Sequence, residues 1–286
     1  MTNKLKYGFL ILVLGSIHSG LFAQFFLRDG VTATDTFISI IKKNYAAENS
    51  MTFDLDNMHT FVKIPVRVHI IKNNNGDTGV DPTDVNGSVS TANIYFQPVG
   101  IQFFIDSVDY VNDYNYSYIT YNQYFKELLN QHVVPNRINL FLADSIRLGQ
   151  YRSYGLTYFP NVADSNFIFL DKQFVVGKYL TTLLGHFMGL LSTHETKGGA
   201  GLASESNCAT SGDFICDTYA DPGLFGQVDT SCIYQGNFTD TGSGYYVPSV
   251  ANIMSDSPDK CKCIFTPLQY RRIYFYFLKY RQYLKY

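Results

Sequence analysis

One apolar stretch, about two-thirds of the way along the chain, limits the fold and the chemistry more than any other segment. It covers residues 179–195 and reads YLTTLLGHFMGLLSTHE. His186 lies within the apolar run, Gly189 follows three residues later, and a Thr-His-Glu group ends the stretch. A glycine directly after an apolar run is typical of a helix C-terminus. We therefore predict a central helix that contains His186 and ends at Gly189.

The first residues of the chain predict export. Lys4 and Lys6 precede a short apolar core, and small residues lead to an expected cleavage between Ala23 and Gln24. The apolar core is too short to span a bilayer comfortably, and no later segment is apolar enough. We expect a secreted or periplasmic protein with a signal peptide over residues 1–23 and no stable membrane span. Residues 24–60 would be a leader or pro-like segment, with a helical stretch over residues 36–46.

The charge balance excludes one broad class of partner. The formal net charge is -2, and only 16% of the residues are charged. A nucleic-acid-binding protein needs a clustered basic face, so we expect no nucleic-acid partner. The final segment, residues 269–286, carries basic side chains and no acid. Such a helix is able to lie on a membrane, but we favour its docking on the domain.

The cysteines predict local disulfide bonds in the last third of the chain. In an exported protein, clustered cysteines staple a loop-rich region. Their odd number leaves at least one thiol without a partner in the chain. The CKC spacing near the end is too tight for a zinc cluster. The candidates are Cys208, Cys216, Cys232, Cys261 and Cys263.

Alternating residues over 61–71, FVKIPVRVHII, predict the first strand. Val and Ile alternate there with Lys63, Arg67 and His69, the period-two pattern of a half-buried strand. His69 is therefore expected at the surface. Further strands are expected over residues 100–108, 136–143 and 166–170, helices over 85–96 and 266–286, and a loop over 155–160. Strands broken by helices before the central helix predict an α+β domain with a mixed sheet.

The central helix has the form on which many zinc proteases build their active site. In H-E-x-x-H the two histidines grip the metal from one helix face, and the glutamate activates the bound water. In the extended form H-E-x-x-H-x-x-G-x-x-H a glycine ends the helix, and a methionine turn lies beneath the metal. Aligned on this form, His186 takes the place of the second histidine and Gly189 that of the glycine.

The surrounding segments resemble the pappalysin group of metzincin metalloproteases. The resemblance covers residues 60–286 and depends on the order and spacing of several short motifs. It implies a metzincin-like fold, with an upper lobe over residues 61–189 that includes the active-site helix. An irregular, disulfide-bearing lower lobe would follow over residues 190–286. The segments that carry the resemblance are Gly185-His186, Gly189-Leu190-Leu191, Ile64-Pro65-Val66, Ile138-Asn139-Leu140, Tyr158-Phe159-Pro160, Gly212-Asp213, Cys216-Asp217-Thr218, Asn252-Ile253-Met254 and Phe265-Thr266-Pro267.

The departures from the family pattern are concentrated where the chemistry would be. Thr182 stands at the first zinc-ligand position, Ser192 at the third, and Leu183 at the position of the general base. Asp256 replaces a tyrosine expected two residues after Met254. One neutral histidine cannot hold zinc well, because zinc sites use three or four protein ligands. Loss of the base alone would remove a factor of about 10²–10⁴ in rate.

These departures predict a secreted protein that keeps the protease fold, has lost catalysis, and binds a peptide or protein in the former substrate cleft. The cleft edge would be the strand near residues 158–170, which adds to a peptide by strand pairing. Zinc, the cofactor of the family, would be weakly bound or absent, with His186 either a residual contact or a packed histidine. One alternative is an active zinc endopeptidase that uses His194 and Glu195. Another is an adhesive or structural protein that uses the tyrosine-rich residues 110–125.

Two further groups complete the candidate residues. Met254 would be the methionine of the turn, which packs beneath the site without binding metal. Asp213, Asp217 and Thr218 either supply oxygens to a calcium ion or lie in solvent as turn residues.

Overall fold

Helices and strands alternate up to residue 187, and irregular backbone follows until the C-terminal helix. The computed structural model describes residues 29–55, 61–120, 123–149, 151–161 and 166–286. The predicted signal sequence lies outside these ranges. The helices are α1 Asp35–Ser50, α2 Pro82–Phe96, α3 Gln123–His132, α4 Tyr179–Phe187 and α5 Pro267–Tyr276. The strands are β1 Val62–Ile71, β2 Ile101–Val111, β3 Tyr118–Ile119, β4 Ile138–Ala143, β5 Ser145–Leu148, β6 Tyr151–Ser153, β7 Gly155–Thr157 and β8 Phe167–Asp171.

A five-stranded mixed sheet forms the centre of the fold, in the order β2-β1-β4-β8-β7. Neighbouring strands are parallel except β7, which runs antiparallel to β8. A second sheet has the order β3-β5-β6. The larger apolar cluster lies between the central sheet and helices α2, α4 and α5, while a second cluster includes residues of α3 and the small sheet. The α+β class and the mixed sheet are confirmed.

His69 is buried, so the prediction of a surface position was wrong. It is only 1% exposed and stacks on Phe141, with 4.4 Å between the ring centroids. Its Nε2 lies 3.0 Å from Asn139 Oδ1. The alternation of β1 suggested one wet face, but β1 lies between β2 and β4 and is covered on both sides. Interior strands of parallel sheets are commonly buried on both faces.

The edge of the sheet also differs from the prediction. Residues 155–157, expected as part of a loop, form β7, which is one of the two edge strands of the central sheet. The predicted edge near residues 158–170 overlaps β8, which lies inside the sheet between β4 and β7. Three residues are too few for a periodic signal, and for that reason the sequence pattern did not indicate the strand.

Helix α1 confirms the helical stretch expected over residues 36–46 and shows how the segment before β1 is held. Thr34 caps the helix by accepting a hydrogen bond from the Phe37 amide. The Phe37 ring stacks on Phe159 at 4.2 Å between centroids, and Ile41 is fully buried. This face belongs to an apolar cluster that also contains residues of α5 and of the irregular region. The described part of the segment is therefore packed into the domain.

Helix α5 begins as the sequence indicated and ends earlier. Thr266 caps it in a capping box with Gln269, and Pro267 is its first residue. The helix ends at Tyr276, and the chain continues as a π-turn and a short 3₁₀ turn to residue 284. The Arg281 guanidinium lies 3.7 Å from the Phe187 ring centroid, so the basic C-terminal segment contacts the end of α4.

Two disulfide bonds staple the region after α4, as predicted. Cys208 bonds to Cys216, and Cys232 bonds to Cys261. Cys263 is an exposed free thiol. In the portion of the chain that the structure describes, no helix is long and apolar enough to cross a bilayer.

Candidate functional site

Helix α4 places the candidate site at its C-terminal end. Its apolar residues pack against the central sheet, and every residue from Leu180 to Phe187 is buried. Gly189 has a φ of +98°, and a Cβ there would lie 2.8 Å from the Tyr276 ring. The backbone therefore requires glycine at this position. The Leu190 amide donates back to the Gly185 carbonyl and closes the helix.

His186 has one ring nitrogen at a backbone carbonyl and the other without a hydrogen-bond partner. Its Nδ1 lies 2.8 Å from the Leu190 carbonyl oxygen, to which it can only donate. Zinc-bound histidines commonly make this type of contact through the nitrogen that does not bind the metal. Its Nε2 is buried without a hydrogen-bond partner and faces Asp29 Oδ2 at 3.4 Å. Because Nδ1 holds a proton, Nε2 attracts the carboxylate only when the ring is doubly protonated.

Asp29 is held in the site by several polar groups. Tyr154 donates its hydroxyl to Asp29 Oδ2 at 3.3 Å, and the Val31 amide donates to Oδ1 at 3.1 Å. Burial raises the pKa of Asp29, but the charges of His186, His194 and Lys262 outweigh this effect and hold the pKa at about 2. The charged carboxylate is therefore the form that this site favours.

The positions of the first ligand and the base hold side chains with other partners. Thr182 Oγ1 donates to the Ile253 carbonyl at 3.1 Å. Leu183 is 0% exposed, and its Cδ1 lies only 2.3 Å from where a Cβ on Gly155 would stand. Leu183 therefore packs beneath the edge strand, where it cannot activate a water molecule.

The remaining predicted residues lie around the end of α4. Ser192 is buried at 8% exposure. His194 Nε2 faces Asp256 Oδ2 at 3.3 Å, so the residue that replaces the expected tyrosine pairs with the proposed substitute ligand. Met254 lies beneath the helix, with its Sδ 2.6 Å from where a Cβ on Gly185 would stand. The role of Met254 as the methionine of the turn stays a prediction.

The residues present do not fit a zinc ion. His186 is the only one of the three predicted ligand positions with a zinc-binding side chain. Thr182 already donates to a backbone oxygen. Among the described residues, no three His, Cys, Asp or Glu side chains are grouped so that they could hold a metal ion. Zinc sites use three or four protein ligands, and His186 with its neighbours supplies fewer.

The start of the described chain crosses the cleft. The N-terminal strap, residues 29–33, lies on the edge strand, where the Gly30 amide donates to the Gly155 carbonyl at 2.7 Å. A Cβ on Gly30 would lie 2.3 Å from Leu148 Cδ1 and 3.0 Å from the Gly155 oxygen. The strap therefore occupies the edge at which a peptide would pair.

A pocket of about 260 Å³ is lined in part by Tyr154, the residue that donates to Asp29. Tyr154, Asp256 and Lys262 are among its lining residues. Burial lowers the pKa of Lys262, although the nearby carboxylates of Asp256, Asp29 and Asp259 counteract this effect. A side chain entering the pocket would meet the same charged groups that surround Asp29.

The predicted calcium residues are engaged with protein groups. Both carboxylate oxygens of Asp213 lie 2.9 Å from Thr218 Oγ1. Asp217 accepts hydrogen bonds from the Thr266 hydroxyl and the Leu268 amide, at the start of α5. Asp217 is thus turned towards α5, away from a site shared with Asp213 and Thr218. These contacts do not fit a common calcium site, and the calcium hypothesis stays a prediction.

Three residues of the site were not indicated by the sequence motif. Asp29 lies in the segment interpreted as a leader, and Tyr154 precedes the undetected edge strand. Lys262 lies between two cysteines that drew attention to the disulfides. The Asp-Gly pair at residues 29–30 was the available signal, since this pair commonly marks a special backbone position.

Comparisons with known proteins agree with this architecture. The chain is 28% identical over 231 residues to an extracellular metalloprotease of Sordaria macrospora. This alignment covers 77% of this chain and 76% of that protein. It is 26% identical over 247 residues to an extracellular metalloprotease of Arthroderma gypseum, covering 80% and 76% respectively. The structure of mirolysin in complex with compound 9 aligns with a TM-score of 0.54 at 15% identity, covering 75% of this chain and 90% of that one. No family model matches the chain.

The chain has a metzincin-like metalloprotease fold. The likeness to mirolysin shows the fold alone, since the identity is low. The relatives are extracellular, which confirms the prediction of a secreted protein.

Proposed function

We propose that this chain is a pappalysin-like protein without peptidase activity that binds extended peptide or protein segments in the former substrate cleft. The observation that carries this proposal is the content of the site. Leu183 is packed beneath Gly155, Thr182 is bonded to Ile253, and Asp29 faces the remaining histidine. A metalloprotease needs a metal-bound water and a group that accepts its proton. These residues supply neither.

The cleft edge supports the binding half of the proposal. The outer side of β7 accepts an extended backbone through the Gly155 carbonyl. Peptide addition to a sheet edge needs only free backbone groups and room for side chains. In the structure the Gly30 amide holds this carbonyl, so a peptide ligand would take the place of the strap at the edge.

Metal analysis of the purified, zinc-equilibrated protein tests the loss of catalysis. We expect far less than one equivalent of zinc, and no cleavage of an unfolded protein substrate. About one zinc per chain, together with cleavage that a chelator stops, would instead establish the alternative of an active endopeptidase. That alternative would need His194 and Glu195. In the structure His194 faces Asp256, and Glu195 accepts the amides of Thr196 and Lys197.

Two exposed tyrosines favour a second candidate function, adhesion through the tyrosine-rich face. Tyr114 and Tyr118 are 56% and 64% exposed, whereas Tyr116 between them is buried. Tyrosines suit such a surface because they combine apolar area with a polar end. The double change Tyr114→Ser and Tyr118→Ser would abolish binding to a cell or matrix surface under this candidate. It would leave peptide binding at β7 unchanged.

A further inference from the structure

We infer that the former metal site is a carboxylate-binding site, which the N-terminal strap fills in cis and which in trans takes an extended segment carrying an acidic residue followed by glycine. This inference rests on the proposed function and names the class of ligand. The strap itself shows what the site accepts, because Asp29 and Gly30 each make a specific contact.

The first argument is the charge around Asp29. His186 faces its carboxylate at 3.4 Å, and Tyr154 donates to the same oxygen. The charges of His194 and Lys262 also act on Asp29. The carboxylate of the strap thus lies between the outward nitrogen of His186 and the Tyr154 hydroxyl, two groups of the protein that are able to donate to a carboxylate.

The two other carboxylates nearby have partners of their own. Asp256 faces His194 at 3.3 Å, and Asp259 accepts the Lys178 amide at 2.9 Å. Lys262 is 6% exposed, so its charge acts with little screening by solvent. A buried cation is stabilised by nearby carboxylates, and Asp29 is one of the carboxylates that counteract the effect of burial on the pKa of Lys262.

The second argument is the close approach at Gly30. Its amide donates to Gly155, and an added Cβ would meet the Gly155 oxygen at 3.0 Å and Ser153 Oγ at 3.1 Å. Any side chain at this position would push the segment away from the edge strand. An acidic residue that reaches His186 while its chain pairs with β7 must therefore be followed by glycine.

The strap can leave without unfolding the domain. Its cleft contacts come from Asp29 and Gly30, whereas Thr34 caps α1 and Phe37 anchors that helix on Phe159. A ligand of the same chemistry would displace Asp29 and Gly30, while Ala33, which is buried in the cluster around Phe37, stays in place with α1. Because the strap is tethered to the site, its effective concentration there determines how much free ligand is needed to displace it.

A peptide-binding experiment tests the inference. The double variant Asp29→Ala, Gly30→Ala frees the site, and the probe is a labelled, N-acetylated peptide with the sequence of residues 29–34, DGVTAT. We expect binding to the double variant, and binding at least about tenfold weaker to the wild type, where the strap competes. Peptides with Asn for Asp or Ala for Gly should also bind at least about tenfold more weakly, as expected for losing a charge-assisted hydrogen bond or a close contact.

Lys262→Gln, added to the double variant, tests whether the charge of Lys262 contributes to carboxylate binding. This change should weaken the binding of the DGVTAT peptide but not that of the NGVTAT peptide. The control Lys260→Gln, at an exposed lysine, should change the affinity for neither peptide. Thermal unfolding confirms that each variant is folded, and Asp29→Asn alone replaces the double variant if that does not fold.

The outcomes separate the inference from the proposed function. Equal binding of DGVTAT and NGVTAT, or an equal effect of Lys262→Gln on both, would overturn the carboxylate site. If unrelated extended peptides bind the freed cleft equally well, the proposed function stands and the inference fails. If the folded variant binds no peptide from either set, the proposed function fails as well.

Discussion

Glu48 and Arg272 form an ion pair that is buried on both sides. The Glu48 carboxylate lies 2.9 Å from Arg272 Nε, and the two side chains are 3% and 0% exposed. The same guanidinium donates to the carbonyls of Asp213 and Phe214. One arginine therefore joins α1, α5 and the irregular region after α4.

Glu48→Ala should destabilise the protein strongly. It leaves the Arg272 charge buried without its carboxylate, and breaking such a pair costs about 3–5 kcal/mol. Urea unfolding measures the change in free energy. Asp35→Ala is the matched control. Asp35 lies on the same helix as Glu48 and pairs with Lys197 of the irregular region, but its side chain is 88% exposed. Surface pairs contribute at most about 1 kcal/mol. Equal losses for the two variants would contradict the buried pair.

The exported protein should keep residues 29–50. Removing them would unpair Arg272 and expose the apolar cluster around Phe37. We therefore expect mass spectrometry of the secreted protein to place its N-terminus before Asp29. The observation of a stable mature form that begins after residue 55 would show that the segment is a removable leader.

The sequence could predict the elements with a strong periodic pattern. The apolar run with His186 and Gly189 predicted α4, and the helix expected over residues 85–96 is α2. The contacts that fill the site were not predictable in this way. Asp29 reaches His186 through the packing of α1, and Lys262 approaches through a disulfide-bonded loop. Contacts between segments so distant in sequence depend on tertiary packing, which local patterns do not encode.

His69 illustrates the same limit within one strand. The alternation in β1 gave the correct strand but the wrong environment, because a second apolar cluster covers the face that carries His69. Which strand becomes an interior strand depends on the sheet order, and that order is set by pairings between distant segments.

Restoring the zinc motif should create a metal site. The triple change Thr182→His, Leu183→Glu and Ser192→His supplies the ligands and base beside His186, whose Nδ1 contact already orients the ring. We expect roughly one zinc per chain, as in other three-histidine sites, measured by metal analysis of the folded variant.

The control for this restoration adds His186→Ala to the triple change. The zinc should then be lost, because two histidines remain. If the folded triple variant binds no zinc, the alignment of α4 with the protease motif is wrong.

Asp213 should make stability fall as the pH rises from about 4 to about 7. Burial raises the pKa of Asp213 to about 7, despite the opposing effect of Arg272. The folded state therefore holds this proton more tightly than the unfolded chain, whose carboxyl titrates near 4. The stabilisation is complete below pH 4 and lost above pH 7, and a shift of this size corresponds to about 4 kcal/mol.

Asp213→Asn checks this pH dependence. Urea unfolding of both proteins between about pH 4 and 8 should give a wild-type curve that falls more steeply than that of the variant. Asn keeps an oxygen for the Thr218 hydroxyl and the Ile215 amide, so the fold should persist. Parallel curves would mean that Asp213 is already ionised throughout this range.

Gly189→Ala should destabilise the end of α4 by about 2–5 kcal/mol, because it combines a positive φ with a clash. The φ of Gly189 is +98°, and the new Cβ would lie 2.8 Å from the Tyr276 ring. Gly76→Ala is the control: Gly76 has a φ of +84° but nothing within 4 Å of the added Cβ. It should lose only the backbone contribution, about 1–2 kcal/mol. Urea unfolding of both variants isolates the clash as the difference between them. If Gly189→Ala costs no more than Gly76→Ala, the contact between α4 and Tyr276 is looser than the structure shows, and the glycine is required by its backbone conformation alone.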